Sequence, residues 1–183
     1  MRTRPRSSPP ARGTTLLELL VVVAVAAILL AAGAPSMGVT VAAALSASQS
    51  AEFMSAVRLA RSEAARRGEW VTLCARQPGI DPPACTTDVA TGWQAGWLLF
   101  VDRGERGVHD PGDELVRLRE PLQGATVPAT LRSVTFGPGG LSVNAASHFL
   151  FRPQAFPDDR LSRLVCLAKT GRARVLPAGQ VTC

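Results

Sequence analysis

Histidine is scarce in this chain, and the scarcity excludes a good deal. His109 and His148 are the only two. Neither has a partner at metal-ligand spacing. No Ser/His/Asp or Cys/His arrangement with a recognisable local motif appears. There is no Walker loop and no GxGxxG, so nothing in the sequence cradles a nucleotide phosphate. The four cysteines contain no CxxC pair, which removes a thioredoxin-type redox centre and a paired zinc knuckle. There is no internal repeat. Catalysis and cofactors are therefore not expected, although a secreted or membrane-anchored enzyme with an unfamiliar site stays open as an alternative.

Acidic residues are also missing from the first 13 positions, which hold Arg2, Arg4, Arg6 and Arg12. These four supply most of the net charge of +6, so the whole-chain charge says little about a nucleic-acid partner. The next stretch is almost pure hydrocarbon. From Leu16 to Ala34 every residue is apolar or glycine except Glu18. A helix of that length spans roughly 28 Å, close to the hydrocarbon core of a bilayer. Four arginines precede it, and the next basic residue is Arg58. The positive-inside rule then keeps the tip cytoplasmic and sends the rest outside. Four cysteines in the outer part agree with an oxidising compartment.

Two plain readings compete for this segment. One is a secretory signal peptide cut at a small-x-small site such as Ala42-Ala43-Ala44. The other is a simple membrane anchor. Glu18 counts against both. An acidic residue in a membrane segment costs roughly 2.5–3.5 kcal/mol on insertion scales and is usually kept for a role.

Arg12-Gly13 followed by Thr14-Thr15-Leu16-Leu17-Glu18 and unbroken apolar sequence resembles the class III leader of type IV pilins and type II secretion pseudopilins. The resemblance implies cleavage after Gly13 by a prepilin peptidase and methylation of the new amine at Thr14. Glu18 then stands fifth in the mature chain. Most members begin the mature chain with phenylalanine; this one would begin with Thr14. Pro35 falls twenty-second, where many pilins carry a helix-distorting proline. The resemblance also suggests a role for Glu18. An amine at Thr14 and a carboxylate at Glu18 lower each other's desolvation cost, within a subunit or between filament neighbours, and fix register.

Beyond the apolar run, Gly33, Pro35 and Gly38 predict a kink or local melting. Val39 to Arg67 reads as an amphipathic helix with Phe53, Ala56, Val57, Ala60 and Ala64 on one stripe. Glu63 and Arg67 form an i,i+4 pair, and Gly68 is a natural stop. From Trp70 the pattern changes to strands: Trp70 to Ala75, Trp97 to Asp102, Glu114 to Arg119, Ser133 to Phe136, His148 to Arg152, Leu164 to Ala168 and Ala173 to Leu176. Turn-rich pieces such as Asp110-Pro111-Gly112 and Gly137-Pro138-Gly139-Gly140 separate them. The expected class is α+β: a long N-terminal helix, membrane-spanning in its first half and amphipathic in its second, packed on an antiparallel sheet. The expected organisation is a leader at 1–13, a transmembrane and assembly helix at 14–38, an amphipathic helix at 39–68 and a periplasmic β-rich domain at 69–183.

Leu59-Ala60-Arg61-Ser62-Glu63-Ala64, Val71-Thr72-Leu73-Cys74, Gly92-Trp93, Gly96-Trp97-Leu98-Leu99-Phe100-Val101-Asp102 and Gly171-Arg172-Ala173-Arg174 resemble the GspH/FimT branch of minor pilins and pseudopilins. That implies an inner-membrane subunit whose partners are other pilins or pseudopilins and the prepilin peptidase.

Four cysteines allow three pairings. The two local ones, Cys74–Cys85 and Cys166–Cys183, are favoured, and each would stabilise the fold by roughly 3 kcal/mol in the chain-entropy model. Free or metal-bound thiols are the competing reading. Asp102, Glu105, Asp110, Asp113 and Glu114 crowd one loop, but Gly104 and Arg106 break the EF-hand template, and a solvated loop is expected without metal. Trp70, Trp93 and Trp97 read as core or rim. The C-terminal part is basic. From Arg152 onward it holds six basic residues against two acidic ones, whereas Asp81 to Glu120 holds eight acidic and four basic. If Ala173 starts a strand, Arg172 and Arg174 share a face. With Arg163 and Lys169 they make a candidate surface for double-stranded DNA. Some FimT-like minor pilins are implicated in DNA uptake through a Gly-Arg-x-Arg element of this kind. A solubilising face, or a contact with another pilin, are the competing readings.

Overall fold

The computed structural model describes residues 14–128, 130–144 and 146–183, with the side chains of residues 31–36 outside the described set. One helix, α1 (Leu16–Arg67), opens the chain. The chain divides into two compact units, Met1–Gly38 and Val39–Cys183. The distortion expected at Gly33 and Pro35 falls on residues whose side chains lie outside the described set, though the backbone there belongs to α1. Alanine and leucine dominate α1, and both are strong helix formers. Gly68 ends it with φ +68° and donates its N–H to Ala64 O at 3.0 Å. Glycine reaches that left-handed conformation without a Cβ penalty.

Among the described residues eight strands come after the helix, and every expected strand lies within one residue of an observed one. The first sheet has the order β3 (Glu114–Arg119), β2 (Trp97–Val101), β1 (Val71–Ala75), β5 (Ser133–Phe136). The second has the order β4 (Ala125–Thr126), β6 (Ser147–Pro153), β7 (Arg163–Leu167), β8 (Ala173–Val175). All pairings are antiparallel. The sequence pattern predicts an antiparallel sheet against the helix, and the described strands form two such sheets.

The helix stripe is where the two sheets meet. Phe53, Ala56, Val57, Ala60 and Ala64 are all buried, as is Met54. They share one core with Val71 and Leu73 of β1, Trp97 and Leu99 of β2, Phe149 and Phe151 of β6, and Val165 and Leu167 of β7. Alternation along each strand sends these residues to the helix side. Phe53 is the hub. Its ring lies 5.2 Å from Trp93, 5.3 Å from Trp97, 4.7 Å from Phe149 and 5.5 Å from Phe151. The whole of this core lies within Val39–Cys183.

The other face of the first sheet is covered as well, so β1 and β2 are buried on both sides. Cys74, Leu98 and Phe100 form a second apolar cluster there. The Cys74–Cys85 disulfide draws the Pro-rich loop onto this face, and Gln77 N–H to Ala84 O (2.8 Å) and Thr86 N–H to Ala75 O (2.8 Å) dock it to the end of β1. Beside this cluster Thr72 Oγ1 donates to Asp102 Oδ2 at 2.6 Å, and the Thr72 and Thr135 hydroxyls are 2.7 Å apart. Asp102 Oδ2 also accepts the Gly107 N–H at 2.9 Å. Asp102 is thus buried and structural, not part of a solvated loop as the acidic run suggests. These donors to Oδ2, with the Arg106 guanidinium 3.6 Å from Oδ1, are what make its burial tolerable.

Candidate functional site

Two surfaces carry the expected functional residues, and they lie in different units of the chain. The first is the start of α1. Thr15 caps it: its Oγ1 accepts the Glu18 N–H at 3.3 Å, and its carbonyl accepts the Leu19 N–H at 3.2 Å. Thr15-x-x-Glu18 has the sequence of a capping box, and the half of it that the structure forms is the Thr15 hydroxyl on the Glu18 backbone N–H. Glu18 also sits in the first turn, where the helix dipole favours an anion. Around it Leu16, Leu17, Leu19, Leu20, Val21 and Val22 are largely exposed in the single chain. Among the described residues no helix is long and apolar enough to cross a membrane. The apolar run of the sequence continues to Ala34, into residues whose side chains are outside that set.

The second surface is the β8 edge of the second sheet. Gly171 N–H donates to Ala168 O at 2.9 Å, and Ala168 N–H to Arg172 O at 2.9 Å, which closes the turn between β7 and β8. Arg174 stands opposite Cys166, and Cys166 stands opposite His148. Paired residues share a face, so His148, Cys166 and Arg174 look away from the core. Cys166 is bonded to Cys183, which brings the C-terminal segment onto the same face. Arg172, Arg174, Cys166 and Cys183 line a cleft of about 420 Å³ together with Ala146, Leu167 and Ala168. Lys169, Arg172 and Arg174 are exposed. Among the described residues none of the three pairs with a carboxylate.

Arg163 does not belong with them. It stands opposite Phe151, on the core side of β7, and its Nη1 donates to Ser162 O at 3.2 Å. Grouping it with Arg172 and Arg174 overlooks the alternation of β7, which puts Arg163 and Cys166 on opposite faces.

Most other arginines are neutralised. At the end of α1, Glu63 accepts from Arg66 (2.6 Å) and Arg67 (2.7 Å). Arg67 also reaches Glu114 on β3 at 2.7 Å, and Arg103 reaches Glu69 at 2.8 Å. Hydrogen bonds from Arg66 and Arg67 hold the Glu63 carboxyl down to about 2. Arg67 likewise lowers Glu114, and Arg103 lowers Glu69. Arg119 bonds Glu52 at 2.7 Å, and Arg152 bonds Asp159 at 2.7 Å. Among the described residues no group of His, Cys, Asp and Glu is placed to hold a metal ion.

Comparison with known proteins defines the class first. The type IV minor pilin FimU of Pseudomonas aeruginosa PAO1, in its P21 crystal form, superposes with a TM-score of 0.52 at 16% identity, covering 80% of this chain and 93% of that one. Its P65 form gives 0.48 at 18% identity, over 77% and 94%. At such identity the likeness is one of fold, and the fold is that of a pilin: a long N-terminal helix packed on antiparallel sheet. No curated protein sequence matches significantly. The prokaryotic N-terminal methylation motif matches residues 9–34.

The profile described as type II transport protein GspH matches residues 49–171. The chain belongs to the GspH family. It is a type IV minor pilin or a GspH-like pseudopilin, a class of structural filament subunits rather than enzymes, assembled with other subunits of that kind and held at the inner membrane.

Proposed function

We propose that the chain is a FimT-like minor pilin that primes or joins a type IV pilus and holds DNA on its β8 edge. In this reading a prepilin peptidase cuts after Gly13 and methylates Thr14. The apolar first part of α1 anchors the subunit in the inner membrane, and Val39–Cys183 lies in the periplasm. Glu18 sets register against an N-terminal amine of its own or a neighbouring chain. The observation that carries the DNA part is the exposed, carboxylate-free Arg172–Arg174 pair lining one cleft. Two guanidinium groups two residues apart, one on β8 and one just before it, suit a phosphate backbone and read no base sequence.

A shift assay with duplex DNA tests it. The full chain in a neutral detergent retards DNA at low salt, and Arg172→Glu with Arg174→Glu abolishes retardation. Absence of retardation by the wild type removes the DNA role. The family description favours a second reading, a pseudopilin of a type II secretion system that touches secreted proteins. It predicts no retardation, while sharing the cut after Gly13, which N-terminal sequencing of the mature protein reads directly.

A further inference from the structure

Arg61 lies on α1, far from the basic C-terminal segment in sequence, yet the fold brings it to the β8 edge. Its Nη1 donates to Gly171 O at 3.4 Å, across 110 residues. That carbonyl immediately precedes Arg172. Two glycines make the approach possible. Gly171 has φ +75°, and a Cβ there would stand 2.6 Å from Gly140 O. Gly140 has φ +70°, and its Cβ position is 3.4 Å from Arg61 Cγ and 3.5 Å from Arg61 Nε. The helix, the turn after β5 and the turn before β8 are thus pressed together, with the Arg61 side chain running along Gly140 toward Gly171. The two glycines also explain why the arginines sit where they do. A side chain at Gly171 would push its turn away from Gly140, and one at Gly140 would be strained by the positive φ.

Charge separates Arg61, and Arg58 one turn before it, from the last turn of α1. Arg66 and Arg67 are neutralised by Glu63 and Glu114. Arg61 is exposed, and among the described residues it has no carboxylate partner. A guanidinium has five N–H donors, and the Gly171 carbonyl takes one. The others are available beside an edge where Arg172 and Arg174 are themselves unpaired. Arg61 reaches the β7–β8 turn from the core side of the second sheet and Arg174 projects from the opposite face, so a phosphate track that touches both passes around that turn.

We propose that Arg61 contacts DNA phosphate together with Arg172 and Arg174, so that the binding track runs from the edge strand around the β7–β8 turn onto the amphipathic second half of α1. The proposal rests on the DNA reading above. It makes the amphipathic part of α1 a lining of the DNA site, through a residue that neither composition nor the C-terminal motif points to.

The test is a salt series with the full chain in neutral detergent and a fluorescent duplex. Each phosphate neutralised on B-DNA contributes about −0.9 to the slope of log affinity against log salt. Arg61→Gln removes the charge and keeps an amide donor toward Gly171 O. Its slope is expected to be shallower by about 0.9, so that between 50 and 200 mM salt the wild type loses about 3.5-fold more affinity than the variant. Arg61→Lys keeps the wild-type slope. Arg117→Gln, the same charge change on exposed β3, leaves slope and affinity unaltered. The proposal is overturned if Arg61→Gln keeps the wild-type slope while Arg172→Gln flattens it. It is equally overturned if Arg117→Gln flattens the slope as much, which marks a general charge effect. Weaker binding of both Arg61 variants at unchanged slope assigns Arg61 to positioning the turn and also overturns it. No binding by the wild type fails the DNA reading itself, a result distinct from the others.

Discussion

Phe53 packs its ring against four other aromatic rings. Its edge-on contacts with Trp93 and Trp97 suit the aromatic quadrupole, and its burial is complete. Phe53→Ala would leave a cavity that neighbours on several separate elements cannot fully close. The expected loss is about 3–5 kcal/mol, read by denaturant unfolding followed through tryptophan fluorescence. A loss below about 1 kcal/mol would show that the sheets close without it. Glu18 is a different kind of residue. Its backbone N–H, not its side chain, takes the Thr15 cap, so Glu18→Ala keeps the start of α1 intact. That makes the variant a clean probe of the carboxylate alone.

The last turn of α1 is tied to the first sheet by charge. Glu63, Arg66, Arg67 and Glu114 form one network, with Arg103 and Glu69 at its margin. The Glu63 carboxyl titrates at about 2 in the fold against an ordinary 4.5. Because the folded value is the lower one, Glu63 adds stability above about pH 4.5, and that contribution is lost as pH falls toward 2. Glu69 and Glu114 are shifted in the same direction, so the wild-type midpoint is expected to fall as pH is lowered through this window. Glu63→Gln should flatten the fall between pH 4.5 and 2 in thermal unfolding scans, and an unchanged pH profile would contradict the network. Much at this scale is legible in the sequence. Glu114–Arg119 and Ser133–Phe136 match their expected ends because turn residues bracket them. The helix stripe emerges from three- and four-residue spacing alone. Division into two sheets does not, since antiparallel partners are chosen by contacts far apart in sequence. β4 has two residues, too few for any period to show. Nearness along the chain misplaces Arg163 and hides Arg61 beside Gly171, because only the strand register and the packing of the turns define those faces.

At the level of the molecule, the unit Met1–Gly38 and the unit Val39–Cys183 carry separate tasks in the proposed role. Glu18→Ala should insert in the membrane as the wild type does and fail to enter a filament, measured by membrane fractionation and by pilin content of sheared pili. Normal incorporation would end the register hypothesis while leaving the fold untouched. The same separation means that variants at Arg61 or Arg172 should assemble normally. Strand order, finally, bears on how the chain comes into being. β1 is an inner strand of its sheet, yet its partners β2 and β5 both come later in the chain. A ribosome makes Val71–Ala75 first, and one edge or both of that wholly buried strand wait unpaired until Phe136 has emerged. Throughout synthesis it is therefore the segment most open to mispairing with a neighbouring nascent chain. Arrival of the β5 residues is the moment at which that exposure ends.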